Sequence, residues 1–200
     1  MPILNAQTRC VVRDVYPTIE HGRYGIKRVV GEYVDVWADV FADGHDVVRA
    51  ALQFKHSSEK SWSEVQAEEI GGDRWHGRFQ VQKQGFYSYR FIGWTDYALY
   101  WQEGLRKKAD AGLDVSLELQ EGIPFLEALK SKVHKDESSF VQNCLDHFAP
   151  QTKQEESIRL AKSEHLTELF ELHPYRPFVA EGNHELQVYV DREKAAFSTW

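Results

Sequence analysis

A chain of 200 residues can bury about 70% of the surface its unfolded form exposes, so it needs no disulfide or metal staples. Hydrophobic residues at 42% and charged residues at 28% describe a soluble globular protein of one large domain, or of one domain carrying an insertion. The 31 Asp and Glu outweigh the 24 Lys and Arg for a net charge of −7, which excludes a general nucleic-acid binder, and no apolar run approaches the roughly 18 residues of a membrane span. The opening Met1–Gln7 lacks the basic and apolar blocks of a signal peptide. Cys10 and Cys144 have no CxxC spacing and read as two small buried residues in a reducing cytoplasm.

From Arg9 to about Trp94 the texture is β. Tyr33–Val40 alternates strictly, with Val34, Val36, Ala38 and Val40 on one face and Asp35, Trp37 and Asp39 on the other, the pattern of a half-buried strand. Further strands are predicted at Arg9–Val15, Arg49–Lys55, Ser63–Glu69, Trp75–Val81 and Phe86–Trp94, with turns at Ala42–His45, Ile70–Asp73 and Gln82–Gly85. Short strands at this spacing, with no helices between them, predict an antiparallel β-sandwich.

Near Asp96 the period becomes helical. Four helices are predicted, to pack as a bundle. The first is Tyr97–Ala111. The second is capped by Asp114 and carries Leu117 to Val133, with a kink or restart at Pro124. A third, capped by Asp136, has Phe140, Val141, Cys144, Leu145 and Phe148 inward. The fourth opens on a Thr152/Glu155 capping box and continues through Ile158, Ala161, His165, Leu169 and Leu172 to a stop at His173-Pro174. After residues 174–185, Leu186, Val188 and Val190 alternate as a last strand, which must join a sheet. The expected fold is therefore α+β, with a sandwich over residues 1–96 and 185–200 and an inserted helical domain over 97–184. The end, Phe197–Trp200, carries no polar tail and reads as cut from a longer chain.

Chemistry-bearing motifs are sparse. Nine histidines form no HExxH pair, and Asp43-Gly44-His45-Asp46 lacks the repeated oxygen ligands of a calcium loop. There is no phosphate-cradling glycine motif and no nucleophile elbow, so neither a cofactor nor a metal is expected. Glu68 and Glu69 are neighbours on a strand, face opposite ways and cannot flank one glycosidic bond. The surplus is aromatic: Trp37, Trp75, Trp94, Tyr97 and Trp101 are candidate contacts for carbohydrate or for an interface, against the alternative that they fill the core or the seam between sandwich and bundle. Trp37 lies opposite the valines of its strand and is expected to pack against another body.

The blocks Val15–Glu32, Ala38–Asp46, Asp73–Phe79, Gly85–Asp96 and Val190–Trp200, in that order, resemble the leading region of α-1,4-glucan:maltose-1-phosphate maltosyltransferases of the α-amylase superfamily. Where that family shows Gly-Gly-Arg, an aromatic and Pro, this chain has His21-Gly22-Arg23-Tyr24-Gly25. The resemblance implies an immunoglobulin-like sandwich with an inserted helical domain, followed in the family by a catalytic (β/α)8 barrel that carries the reacting carboxylates, so no catalytic residue is placed in this chain. It further implies that the region packs on its barrel and assembles a homodimer; an aromatic patch bared by the missing barrel is expected, with Trp37 or the Tyr97–Trp101 segment near one contact. Two rival readings are a glucan-binding module and the leading domain of an amylase-like hydrolase. No nucleic-acid or membrane partner is expected.

Overall fold

The computed structural model describes residues 9–44, 46–149, 154–182 and 184–192. Its strands are β1 (Cys10–Tyr16), β2 (Ile26–Val29), β3 (Tyr33–Ala42), β4 (Val48–His56), β5 (Ser63–Gln66), β6 (Glu68–Gly71), β7 (Arg74–Gln80), β8 (Gly85–Thr95), β9 (Ala180–Glu181) and β10 (Leu186–Asp191). They form two sheets, one ordered β1-β3-β7-β6 and the other β2-β10-β8-β4-β5 with β9 also on β8. β3 sets the inner face of the first sheet, because its alternation sends Val34, Val36, Ala38 and Val40 into the core. Leu52, Tyr89, Phe91 and Val188 of the second sheet meet them in one cluster.

Three sequence expectations change here. The segment read as a single strand at Ser63–Glu69 is two, β5 in one sheet and β6 in the other. The switch falls at Ala67, which is buried and donates its N–H to Ala50 O at 3.0 Å. The pairing is not wholly antiparallel, since β10 runs parallel to β2 with Val188 opposite Ile26 while pairing antiparallel with β8. β2 itself escapes the pattern search because Lys27 and Arg28 interrupt its apolar residues. The final strand does join strands from the first half of the chain.

The chain divides into two compact units, one from residues up to Thr95 together with Phe178 onward, the other Asp96–Pro177. The second contains α1 (Tyr97–Asp110), α2 (Ser116–Glu121), α3 (Ile123–Lys130), α4 (Lys135–Phe148), α5 (Gln154–Ala161) and α6 (Glu164–Leu172). Asp96 caps α1 by accepting the Leu99 N–H at 3.1 Å. α2 and α3 meet at Gly122 as one bent helix, with Pro124 in the first turn of α3, where its missing N–H costs least. Gly122 also lies under the Trp101 indole, which would collide with any β-carbon there.

Among the described residues, five helices, one of them bent, thus replace the expected four. The segment read as a continuous fourth helix breaks at Ser163, whose hydroxyl accepts the Leu166 N–H and starts α6. The break shifts the phase: Leu160, Ala161, Leu166, Leu169 and Phe170 face the core, whereas His165 and Leu172 are exposed. Asp136 is not the cap of α4 but lies in its first turn after His134, where its charge still favours the helix N-terminus. Asp114 stands one residue before the N-cap of α2 and accepts from both the N–H and the hydroxyl of Ser116. Thr152 and its capping box, His45 and the terminal residues 193–200 lie outside the described residues. The helical core centres on Trp101, which donates to Glu118 O at 2.6 Å with Phe125, Phe148 and Phe170 around its ring. Gln102, buried in the same core, bonds Ala161 O and Thr167.

Candidate functional site

The side chains that alternate with the core residues of the first sheet build one continuous surface. Tyr33, Asp35, Trp37 and Asp39 leave β3 on that side, and Arg74, His76 and Arg78 leave β7 beside them. Register places Tyr16 of β1 and His76 of β7 on either side of Trp37. The three rings form a row across three strands, with centroids 5.9 Å and 5.2 Å apart and planes inclined by 41° and 34°. Trp37 is half-buried, and Tyr16 is 54% exposed.

Charged side chains lock the row in place. Asp35 takes His76 Nε2 at 2.9 Å and Arg78 Nε at 3.4 Å. Arg78 in turn lies over the Tyr33 ring at 4.0 Å. Asp39 accepts from Arg74 at 2.7 Å. Asp35 and Asp39 are four residues apart on an extended strand, so their backbones stand roughly 13 Å apart, against the 5–9.5 Å that separates the carboxyls of a glycosidase pair. Both carboxylates are engaged by basic side chains, Asp35 by His76 and Arg78 and Asp39 by Arg74.

A concavity of about 190 Å³ opens where the chain leaves β1, bordered by Arg13, Asp14, Thr18, His21 and His184. Its loop is tightly specified. Asp14, Glu20 and His21 all take positive φ, as does Gly22 at φ +89°, where a β-carbon would be strained and would lie 2.8 Å from Leu186 Cδ2, which would have to shift. Ile19 O accepts from the N–H groups of Gly22 and Tyr24, and the Tyr89 hydroxyl donates to Pro17 O at 2.7 Å. Burial pushes the Tyr89 phenol well above its ordinary range, so it stays protonated as that donor.

Of the five aromatic candidates, the structure covers three. Trp75 lies in the core of the strand unit, with its N–H on Val40 O at 3.1 Å. Trp94 packs with Ala51, Ile92 and Val179, and Trp101 fills the helical core. A sugar platform needs an open ring face, and these three lack one. Tyr97 is half-buried in the first turn of α1, between Trp94 and Trp101 in the chain. Trp37 alone heads an open cluster, and its companions Tyr16 and His76 were not recognisable beforehand, because only strand pairing reveals them. Among the described residues, no group of three or more His, Cys, Asp or Glu is placed to hold a metal ion, and no helix is long and apolar enough to cross a membrane.

This organisation defines a class: a two-sheet unit interrupted before its last two strands by a helical unit. The chain belongs to the family described as alpha-1,4-glucan:maltose-1-phosphate maltosyltransferase, domain N/S, whose profile matches residues 8–192. It is similar to the alpha-1,4-glucan:maltose-1-phosphate maltosyltransferase of Methylacidiphilum infernorum, 31% identical over 98% of this chain and 29% of the relative. The enzyme of that name from Myxococcus xanthus is 34% identical over 94% of the chain and 30% of the relative. For Chlorobaculum tepidum the figures are 35%, 98% and 29%. The chain thus spans about three-tenths of the length of these relatives.

Proposed function

We propose that this chain is the non-catalytic N-terminal region of an α-glucan-elongating maltosyltransferase, with an immunoglobulin-like sandwich that packs on a catalytic barrel and a helical unit that assembles a cytoplasmic homodimer. The observation that carries this reading is the coverage: nearly the whole chain aligns with three-tenths of each maltosyltransferase, within a family described as domain N/S. The spacing of Asp35 and Asp39, and their engagement by His76, Arg78 and Arg74, supports a region that does no glycosyl chemistry itself. The helical unit offers the assembly surface. Leu113, Leu117 and Leu172 are 58%, 64% and 70% exposed there, and Leu113 and Leu117 flank the start of α2.

The test pairs this chain with the protein extended through the rest of its reading frame. Incubated with maltose 1-phosphate and a maltooligosaccharide, the extended protein should lengthen the acceptor and the 200-residue chain should not. Lengthening by the short chain that survives re-purification would overturn the non-catalytic assignment. Hydrolysis without transfer by the extended protein would move the parent to the amylase-like class.

A further inference from the structure

We propose that the outer face of the β1-β3-β7-β6 sheet is a glucan-binding platform centred on Trp37, with Tyr16 and His76 extending it on either side. The proposal rests on the reading of this chain as part of an α-glucan enzyme, and deepens it by placing a polysaccharide contact outside any catalytic centre. The row of rings spans three strands, about 10 Å across, and Tyr33 with Arg78 over its ring lies about 13 Å along β3. These dimensions suit an extended ligand that offers several flat faces in succession, not a single small molecule.

Three features select a sugar chain. A pyranose ring has a weakly apolar C–H face that stacks on an aromatic ring, and its hydroxyls lie at the rim, where planar donors and acceptors can reach them. Trp37 has such groups beside it in both directions along the sheet: the carboxylate of Asp35 with the Arg78 guanidinium, and the carboxylate of Asp39 with that of Arg74. On this face Asp35, Asp39 and Glu68 balance Arg13, Arg74 and Arg78 in charge, so it offers no net field to a phosphate-rich ligand, which needs uncompensated cations. The side chains are also held before any ligand arrives, by the 2.9 Å His76–Asp35 and 2.7 Å Arg74–Asp39 bonds, so little freedom is lost on binding. A protein partner would instead favour rings sunk in desolvated pockets at the centre of an apolar patch. Here Trp37 and His76 have ion pairs beside them on the sheet, Asp39 with Arg74 and Asp35 with Arg78.

Native affinity electrophoresis through gels containing soluble α-1,4-glucan tests the platform on the 200-residue chain. The wild-type chain should be retarded relative to a glucan-free gel, Trp37→Phe should keep the retardation, and Trp37→Ala and Tyr16→Ala should lose most of it, at least tenfold in apparent affinity. Circular dichroism on each variant establishes that the fold is intact, and the Trp37→Phe chain guards against a trivial loss of structure. Equal retardation of wild type and Trp37→Ala, or none for the wild type, would overturn the proposal. A Trp37→Ala chain that binds glucan normally but changes its sedimentation would show that a second copy of the chain covers this face. The readout is independent of maltosyl transfer, so a parent without transferase activity would refute the functional assignment and leave the platform standing, and the reverse holds equally.

Discussion

His21 holds a left-handed backbone conformation, φ 57° and ψ 32°. Histidine is among the residues that tolerate this region, yet it carries a β-carbon into it at a cost of about 1–2 kcal/mol. Changing the position to glycine relieves that strain and gives back about 0.5–1 kcal/mol in unfolded-state freedom. His21→Gly should therefore leave stability unchanged or raise it by up to ~1 kcal/mol in urea denaturation. Gly22→Ala should lower it by about 2 kcal/mol, since the next residue combines positive φ with contact against Leu186. A neutral Gly22→Ala would show that the loop relaxes freely and that the three successive positive-φ residues Glu20, His21 and Gly22 are not jointly required. At this scale the sequence was informative about composition and blind to geometry. The letters His21-Gly22 show the sequence, but not the positive φ that both residues take. Likewise Trp37 stood out as lying opposite the valines, whereas the Tyr16 and His76 that complete its row come from segments 21 and 39 residues away.

Among the elements, those whose inner face is uninterrupted were the most legible. β3 runs two residues beyond its predicted end, and α1 and α4 lie close to their expected bounds. Misreadings cluster where a single backbone event interrupts a run that is periodic overall. A two-residue period identifies Ser63–Glu69 as strand but cannot reveal that the chain changes sheets at Ala67. A helical period continues through Ser163 because residues on both sides are apolar at suitable intervals, so the capping hydroxyl looked like an ordinary polar position. That hydroxyl both accepts from Leu166 N and donates to Leu160 O, closing one helix while opening the next. Ser163→Ala should cost about 1 kcal/mol, and Ser163→Asp should recover part of it by restoring the acceptor. If the alanine variant matched wild type in thermal denaturation, α5 and α6 would have to be held at their break by core packing alone.

For the whole molecule, the period changes near Asp96 and returns near Leu186, whereas the compact helical unit ends at Pro177 and the strand unit resumes at Phe178, seven residues before the expected boundary; the pairing of β10 with β2 required the structure. One buried thiol lies in each unit. Burial pushes Cys10 and Cys144 from 9.0 up to about 12. Both are neutral in the folded chain at pH values where they would ionise once unfolded, so the folded state holds more protons between about 9 and 12. Their contribution to stability is complete below pH 9 and declines as pH rises through that window. The thermal midpoint should fall above pH 9, and at pH 8 a thiol reagent should label neither cysteine until denaturant is added. Rapid labelling of the native chain would mean that one of the two cores opens readily.

Assembly is the part of the functional account that this chain must display by itself. If the helical unit provides the contact, the exposed Leu113 and Leu117 at the start of α2 are its first candidates, and two-fold pairing is the commonest closed arrangement. Sedimentation equilibrium over a wide concentration range measures this directly, on the wild-type chain and on a Leu113→Ser, Leu117→Ser double variant whose substitutions lie on the surface. The account predicts a concentration-dependent homodimer that the double variant weakens at least tenfold; a wild-type chain that remains a monomer across the whole accessible range would contradict it.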